Sequence, residues 1–308
     1  MNCPFYNRLN SNIVNAMFAP TTSFTHMFRI STAAIFLLFL FITVRAAAQT
    51  VNVMTYNLRY ATENDGVNAW SKRKEKVFEL IKKYDPDVIG VQEALISQIT
   101  DILEAVPAYD YIGVGRDDGK EGGEYSAILY KKDRFTINES NTFWLSKTPE
   151  TPGSKDWDAA ITRVATWAKM TDKNSGSQFF MLNTHFDHIG KVAREQSAAL
   201  LKKQAAKIAG KLPVIITGDL NFERSEPPYP VIMSPKSLKL HDPAPENPPG
   251  TYCTFVVDGP ACTAIDYILH TSQWQSSDYN VINDNDGKHY PSDHKPVMVQ
   301  LRVAGKGK

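Results

Sequence analysis

The chain has 308 residues, 43% hydrophobic, 22% charged and 11% aromatic, an ordinary globular composition that excludes disordered, collagen-like and low-complexity architectures. Lys+Arg 34 against Asp+Glu 33 leaves a formal net charge of +1, which provides no global pull toward nucleic acid. Three Cys are too few for a scaffold built on disulfides.

The first feature along the chain is Ser31–Val44, an uncharged stretch preceded by Arg29 and followed by Arg45-Ala46-Ala47-Ala48-Gln49. A basic flank, a short apolar core and an Ala-x-Ala ending describe a secretory signal peptide, with cleavage expected after Ala48. As a helix the core reaches ~21 Å, short of the ~30 Å hydrocarbon layer, which disfavours the alternative of an uncleaved anchor. The expected product is periplasmic or secreted, with no membrane insertion. Met27-Phe28-Arg29 makes a normal n-region, so Met27 is the expected start. Residues 1–48 therefore read as a leader and 49–308 as one domain.

Short β-branched and aromatic runs bounded by Gly, Pro, Asp or Asn predict strands over 51–58, 87–91, 125–130, 163–170, 179–186, 214–217, 264–270 and 296–303. Helical periodicity predicts helices over 71–84, ending before Asp85-Pro86, over 94–103, and over 191–209, closed by Gly210. Eight Pro between Glu226 and Gly250 predict a surface excursion without regular structure. Cys253 and Cys262 flank an Asp258-Gly259-Pro260 turn and can pair in an exported protein, with two buried thiols as the alternative. The pattern fits an α/β architecture of sheets packed on each other with helices outside, although a single mixed sheet fits it too.

Six polar signatures sit at or just beyond strand ends: Tyr56-Asn57-Leu58-Arg59, Gln92-Glu93, Asn183-Thr184-His185, Gly218-Asp219-Leu220-Asn221, Ile265-Asp266-Tyr267 and Ser292-Asp293-His294. Strand termini gather at one rim, and a rim collecting His, Asn and several carboxylates exceeds what a solvated surface needs. Carboxylates with Asn and no Cys suit a hard divalent cation, Mg²⁺ or Mn²⁺. Asp219 and Asn221, if extended, project from one face toward one small object. A metal, an oriented water and a cationic His describe phosphoester hydrolysis. Gly-x-Ser-x-Gly, a Walker loop and a His-x-x-x-His helix are all missing, which disfavours serine hydrolases, NTPases and zincins.

On these six motifs, present in order from about Val51 to Val303, the sequence resembles the endonuclease/exonuclease/phosphatase superfamily of metal-dependent phosphoesterases, in a deoxyribonuclease-like, secreted bacterial form. The resemblance implies a four-layered α/β sandwich, two packed mixed sheets flanked by helices, with the active site at one rim. It implies that Glu93, Asn57 and Asp293 serve the metal. It implies that His185 and His294 flank the scissile phosphate, that Asp266 orients the second His, and that Asp219 and Asn221 align the attacking water and hold a phosphate oxygen. Tyr125 and Arg163 are weaker matches to phosphate contacts. Arg59 stands where abasic-site enzymes carry Asp.

His188, Trp144 and Trp157 are further candidates for substrate contact, and residues 147–158 read as a loop overhanging the rim. The expected activity is hydrolysis of a phosphodiester or phosphomonoester by a monomeric enzyme, on a nucleic-acid, lipid or small-molecule substrate. A nuclease of extracellular DNA or RNA is the alternative, and a non-catalytic binding module keeping the fold is the rival from another class. The lack of a basic cluster weighs against strong duplex binding.

Overall fold

In the computed structural model, residues 50–304 are described; the leader, its apolar core, the cleavage point after Ala48 and the start at Met27 lie outside them. Twelve strands form two six-stranded sheets. In chain order they are β1 (Thr50–Asn57), β2 (Val88–Gln92), β3 (Tyr109–Ile112), β4 (Ile128–Lys131), β5 (Phe135–Trp144), β6 (Val164–Asp172), β7 (Gln178–His185), β8 (Val214–Asp219), β9 (Leu240–His241), β10 (Asp266–Thr271), β11 (Trp274–Val281) and β12 (Val297–Val303). The first sheet runs β11-β12-β1-β2-β4-β3 and the second β5-β6-β7-β8-β10-β9. Only β1–β2 and β7–β8 pair in parallel; all other neighbours are antiparallel.

Side-chain alternation along the strands builds the layers. Val51 and Val53 of β1 pack inward with Ile215, Ile268, Val297 and Val299 to fill the space between the sheets. Met54, Tyr56 and Leu58 turn outward onto α1 (Trp70–Tyr84) and α2 (Ile96–Ala105). Phe180, Leu182 and Ile216 of the second sheet face α3 (Lys191–Ala209) and α4 (Pro228–Met233). The result is the four-layered sandwich, not the single mixed sheet. The Pro-rich stretch differs from expectation, since it contains α4 and the two-residue strand β9. Pro228 occupies the first turn of α4, where a missing N–H costs nothing.

A buried polar seam joins the two sheets beneath the strand ends. Gln92 donates through Nε2 to Thr55 Oγ1 at 3.0 Å and Asn183 Oδ1 at 2.7 Å. Asn183 donates back to the Val91 and Ala127 carbonyls at 2.8 and 2.9 Å, and Thr217 Oγ1 donates to Asn183 Oδ1 at 3.0 Å. The sheets approach so closely here that a Cβ on Gly90 would lie 2.1 Å from Thr217 Oγ1 and 2.5 Å from Asn183 Oδ1. Cys253 and Cys262 form a disulfide. Among the described residues no helix is long and apolar enough to cross a membrane.

Gly90→Ala is expected to lower the unfolding free energy by ~1–3 kcal/mol, because the seam must open to admit the methyl group. Chemical denaturation checks this, and an unchanged midpoint would show that the sheets do not meet as closely as described.

Candidate active site

The topology brings six segments to one rim. Asn57, Gln92-Glu93, His185 and Asp219 end or follow the two parallel pairs, whereas Asp266 begins the antiparallel β10. Register makes His185 and Asp266 the two cross-strand partners of Asp219. Three of these strand ends then turn through left-handed backbone at non-glycine residues: Arg59 (φ 53°), Glu93 (φ 57°) and Asn221 (φ 52°). Such conformations cost about 1–3 kcal/mol each and persist where surrounding bonds over-determine them. At Arg59 the bond is from its N–H to Asn57 Oδ1 (2.9 Å), and at Asn221 from its N–H to Asp219 Oδ1 (3.0 Å). Asn221 therefore does not continue β8 as an extended residue, and it reaches the site by turning back over it.

Asn57 holds the centre. Its Nδ2 donates to Glu93 Oε1 and to Asp219 Oδ2, both at 3.0 Å, tying a carboxylate of one sheet to a carboxylate of the other. The Tyr60 N–H donates to Glu93 Oε2 at 3.2 Å. Asp219 Oδ2 also lies 3.4 Å from His185 Nε2 and 3.6 Å from His294 Nε2. His294 Nδ1 is 2.9 Å from Asp266 Oδ2, and Asn221 Nδ2 donates to the Phe186 carbonyl at 3.0 Å and sits 2.9 Å from His185 Nε2. Since Asn221 Nδ2 only donates, His185 Nε2 accepts there and carries no proton.

Electrostatics separate the two histidines. Burial lowers His185 well below the ordinary imidazole range, and the Arg163 guanidinium lowers it further. Burial alone would lower His294 as well, but Asp266 and Asp219 outweigh it and hold His294 well above that range. One histidine is thus neutral and the other an imidazolium. Burial and the neighbouring Asp266 push the Asp219 carboxyl upward.

Glu93, Asp219 and His294 each offer a ligand atom within 4.8 Å of the others. The two carboxylates offer oxygen donors that fit a hard divalent cation, and such a cation would relieve the repulsion of acids gathered out of bulk water, while His294, held protonated by Asp266, stands beside them as a further cation. Asn57 faces this cluster with its amide nitrogen, so it positions the two carboxylates. Asp293, also on the cavity wall, is raised by burial.

The cluster forms one end of a cavity of about 370 Å³, which Arg59, Arg163, His188 and Asn221 also line. Arg59 is held by Asp65 at 3.0 Å and approaches Glu93 at 3.8 Å. Arg163 is buried, and its Nε and Nη1 have no hydrogen-bond partner. Tyr125, Trp144 and Trp157 are not among the lining residues. The Tyr125 hydroxyl instead donates to the Lys120 carbonyl at 2.9 Å, and Trp144 Nε1 donates to the Arg116 carbonyl at 2.6 Å. The segment 147–158 that was expected over the rim contributes nothing to the wall, whereas Ile161 just beyond it does.

Sequence reasoning missed Tyr60, Glu124, Tyr252 and Ile265 as wall residues. Glu124 precedes Tyr125 in an extended segment that bridges Ala94, where adjacent side chains point to opposite sides, and only the structure shows which side is the site. Tyr252 had no readable signal, because its ring meets His294 (centroids 4.9 Å apart) only through tertiary packing.

With this geometry in view, the family model described as "Endonuclease/Exonuclease/phosphatase family" matches residues 54–294. A Bacteroides thetaiotaomicron protein described by that family name is 36% identical, with TM-score 0.78 over 84% of this chain and 99% of its own. A mannosyl-6-phosphatase of Bacteroides thetaiotaomicron is also 36% identical, with TM-score 0.75 over 82% of this chain and 99% of its own. Nocturnin of Drosophila melanogaster is 23% identical over 285 residues, 76% of this chain. The chain spans 63%, 27% and 42% of the length of three curated relatives it matches, two mimivirus proteins and that nocturnin.

Asn57→Ala, which releases both carboxylates, is expected to weaken divalent-ion binding about 10–100-fold, as loss of a ligand-orienting partner does. Titration calorimetry with Mg²⁺ and Mn²⁺ measures it, and wild-type affinity in the variant would remove Asn57 from this role.

Proposed function

The chain belongs to the endonuclease/exonuclease/phosphatase family, whose members are metal-dependent phosphoester hydrolases; from that premise we propose that it is an exported, Mg²⁺- or Mn²⁺-dependent phosphomonoesterase of small, hydroxyl-bearing substrates such as sugar phosphates. The observation that carries the reading is the convergence of Glu93, Asp219 and His294 polar atoms within 4.8 Å, on a cavity that Arg163 also lines.

A divalent ion held by Glu93 and Asp219 would supply Lewis-acid neutralisation of phosphoryl charge. The protein's own groups do the rest. Arg163 and the His294 imidazolium face the equatorial oxygens, where charge grows toward the transition state, and so lower the barrier more than they tighten ground-state binding. Asp219, with its upward-shifted carboxyl, orients and deprotonates the attacking water. Asn221 keeps the neutral His185 turned into the site, and Asp266 keeps His294 protonated.

Three observations support the choice of substrate and compartment. The similar Bacteroides thetaiotaomicron protein is a mannosyl-6-phosphatase. Of the two arginines in the cavity wall, Arg59 is already paired with carboxylates, which leaves one uncommitted guanidinium where a nucleic-acid backbone calls for several cations. The leader expected at residues 1–48, with its apolar core at 31–44, and the Cys253–Cys262 disulfide suit an oxidising compartment.

Purified protein with Mg²⁺ is expected to hydrolyse hexose phosphates faster than bis-p-nitrophenyl phosphate or oligonucleotides, and EDTA should abolish the activity. Faster cleavage of oligonucleotides would replace this reading with a nuclease, and no turnover on any phosphoester would favour a binding module. His294→Ala and Asp219→Ala should each lower kcat by about 10²–10⁴-fold with folding intact. Near-wild-type kcat in either would remove that residue from the mechanism.

A further inference from the structure

Once the metal cluster, the His294–Asp266 pair and the phosphoryl-facing Arg163 are accounted for, two acidic side chains in the cavity wall have no task, Asp293 and Glu124, and of these Glu124 lies with Arg163. Glu124 lines the cavity but is not among the ligand atoms that converge with Glu93. Its Oε2 accepts from Arg116 Nη1, which fixes the side chain, whereas Oε1 has no partner in the protein and is not sealed off from the cavity. Burial raises the Glu124 carboxyl, while Arg116 opposes that shift.

Beside it, His188 Nδ1 lies 3.3 Å from Arg163 Nη2. A guanidinium only donates, so Nδ1 must be the acceptor, and the proton of a neutral imidazole then sits on Nε2. Burial and the Arg163 charge both lower His188, in keeping with the neutral form. His188 is exposed on the cavity wall, and its Nε2–H has no partner in the protein. Arg163 is thus flanked by a fixed acceptor, Glu124 Oε1, and a fixed donor, His188 Nε2–H. A hydroxyl both donates and accepts, and a polyol offers several at neighbouring carbons, so it can satisfy both groups at once. A second anionic group on the substrate would instead meet the Glu124 carboxylate.

We propose that Glu124 and His188 form a hydroxyl-binding subsite next to the phosphoryl pocket, which selects neutral polyol monoesters and rejects substrates carrying another negative charge there. The subsite rests on the sugar-phosphate reading above and names the residues that enforce it.

The test compares wild type, Glu124→Gln, Glu124→Ala and His188→Ala, all full-length with Mg²⁺. The substrates are mannose 6-phosphate, its 2-deoxy analogue, a hexose bisphosphate and p-nitrophenyl phosphate. Both Glu124 variants are expected to raise KM for mannose 6-phosphate about tenfold or more, with kcat nearly held, because a site built to bond a hydroxyl loses that bond. On p-nitrophenyl phosphate, which lacks hydroxyls, kcat/KM should change less than about threefold. Glu124→Gln, which keeps the side chain's shape, should also narrow the gap between mannose 6-phosphate and the bisphosphate. An equal loss on every ester, including p-nitrophenyl phosphate, would mean a structural role and overturn the subsite. So would an unchanged preference in a wild type that does hydrolyse hexose phosphates. A wild type that prefers oligonucleotides overturns the functional reading itself, and the subsite with it.

Discussion

A single amide nitrogen, Asn57 Nδ2, carries the constraint on which the active site depends. It donates at 3.0 Å to Glu93 from the first sheet and at 3.0 Å to Asp219 from the second. Two buried or half-buried carboxylates from separate sheets repel one another, and each loses hydration as the sheets close. One donor shared between them offsets part of that cost and fixes their separation. Because Asn57 ends β1 and Asp219 ends β8, the bond also sets how the two strand ends stand over one another. The remaining polar groups of the rim are arranged around this clamp.

The clamp works because the layer below it is rigid. Gln92, Asn183 and Thr217 satisfy one another across the intersheet gap, and Gly90 lets them meet at hydrogen-bond distance. Buried hydrogen-bond networks of this kind favour one arrangement of their partners, whereas apolar packing tolerates sliding. Above that layer the chain leaves β1 and β2 and turns back over β8 through left-handed residues at Arg59, Glu93 and Asn221. The seam below and the hydrogen bonds around Asn57 and Asp219 hold those strained turns in place, and the turns point Glu93 and Asn221 at one centre.

Charge is divided across the cavity. Glu93, Asp219 and Asp293 make one side anionic, while Arg163 stands as an unpaired buried guanidinium on the other. His185 and His294 are pushed in opposite directions, His185 downward by burial and then by Arg163, and His294 upward by two aspartates that outweigh its burial. On the proposed reading, a phosphoryl group would be met by Arg163 on one side and by a cation held among the acids on the other. Glu124 and His188, beside Arg163, then face whatever the phosphoryl group is attached to.

The eight strands read from the sequence are all interior, and the four it did not show, β3, β5, β9 and β11, are the four sheet edges. Interior strands need apolar side chains on both faces and announce themselves by β-branched and aromatic runs. Edge strands such as Phe135–Trp144, with Asn138-Glu139-Ser140-Asn141 in the middle, are half solvated and resemble loops. The motifs at strand ends were legible because chemistry limits which residue types can serve there, so Glu93, His185, Asp219, Asp266 and His294 could be named without coordinates. The sequence could not say which neighbour of a motif faces the cavity. Glu124 enters it and Tyr125 does not, since alternation in an extended segment is read only once one side is known to be the site. Likewise the tilted ring contact of Tyr252 with His294, the burial of Trp144 and the bridging role of Asn57 depend on residues far apart in the chain being brought within a few ångströms. Periodicity and short motifs act locally and so determined the interior strands, the helices and the residue types of the site; pair distances, protonation and cavity shape are properties of the packed sheets, which only the tertiary structure decided.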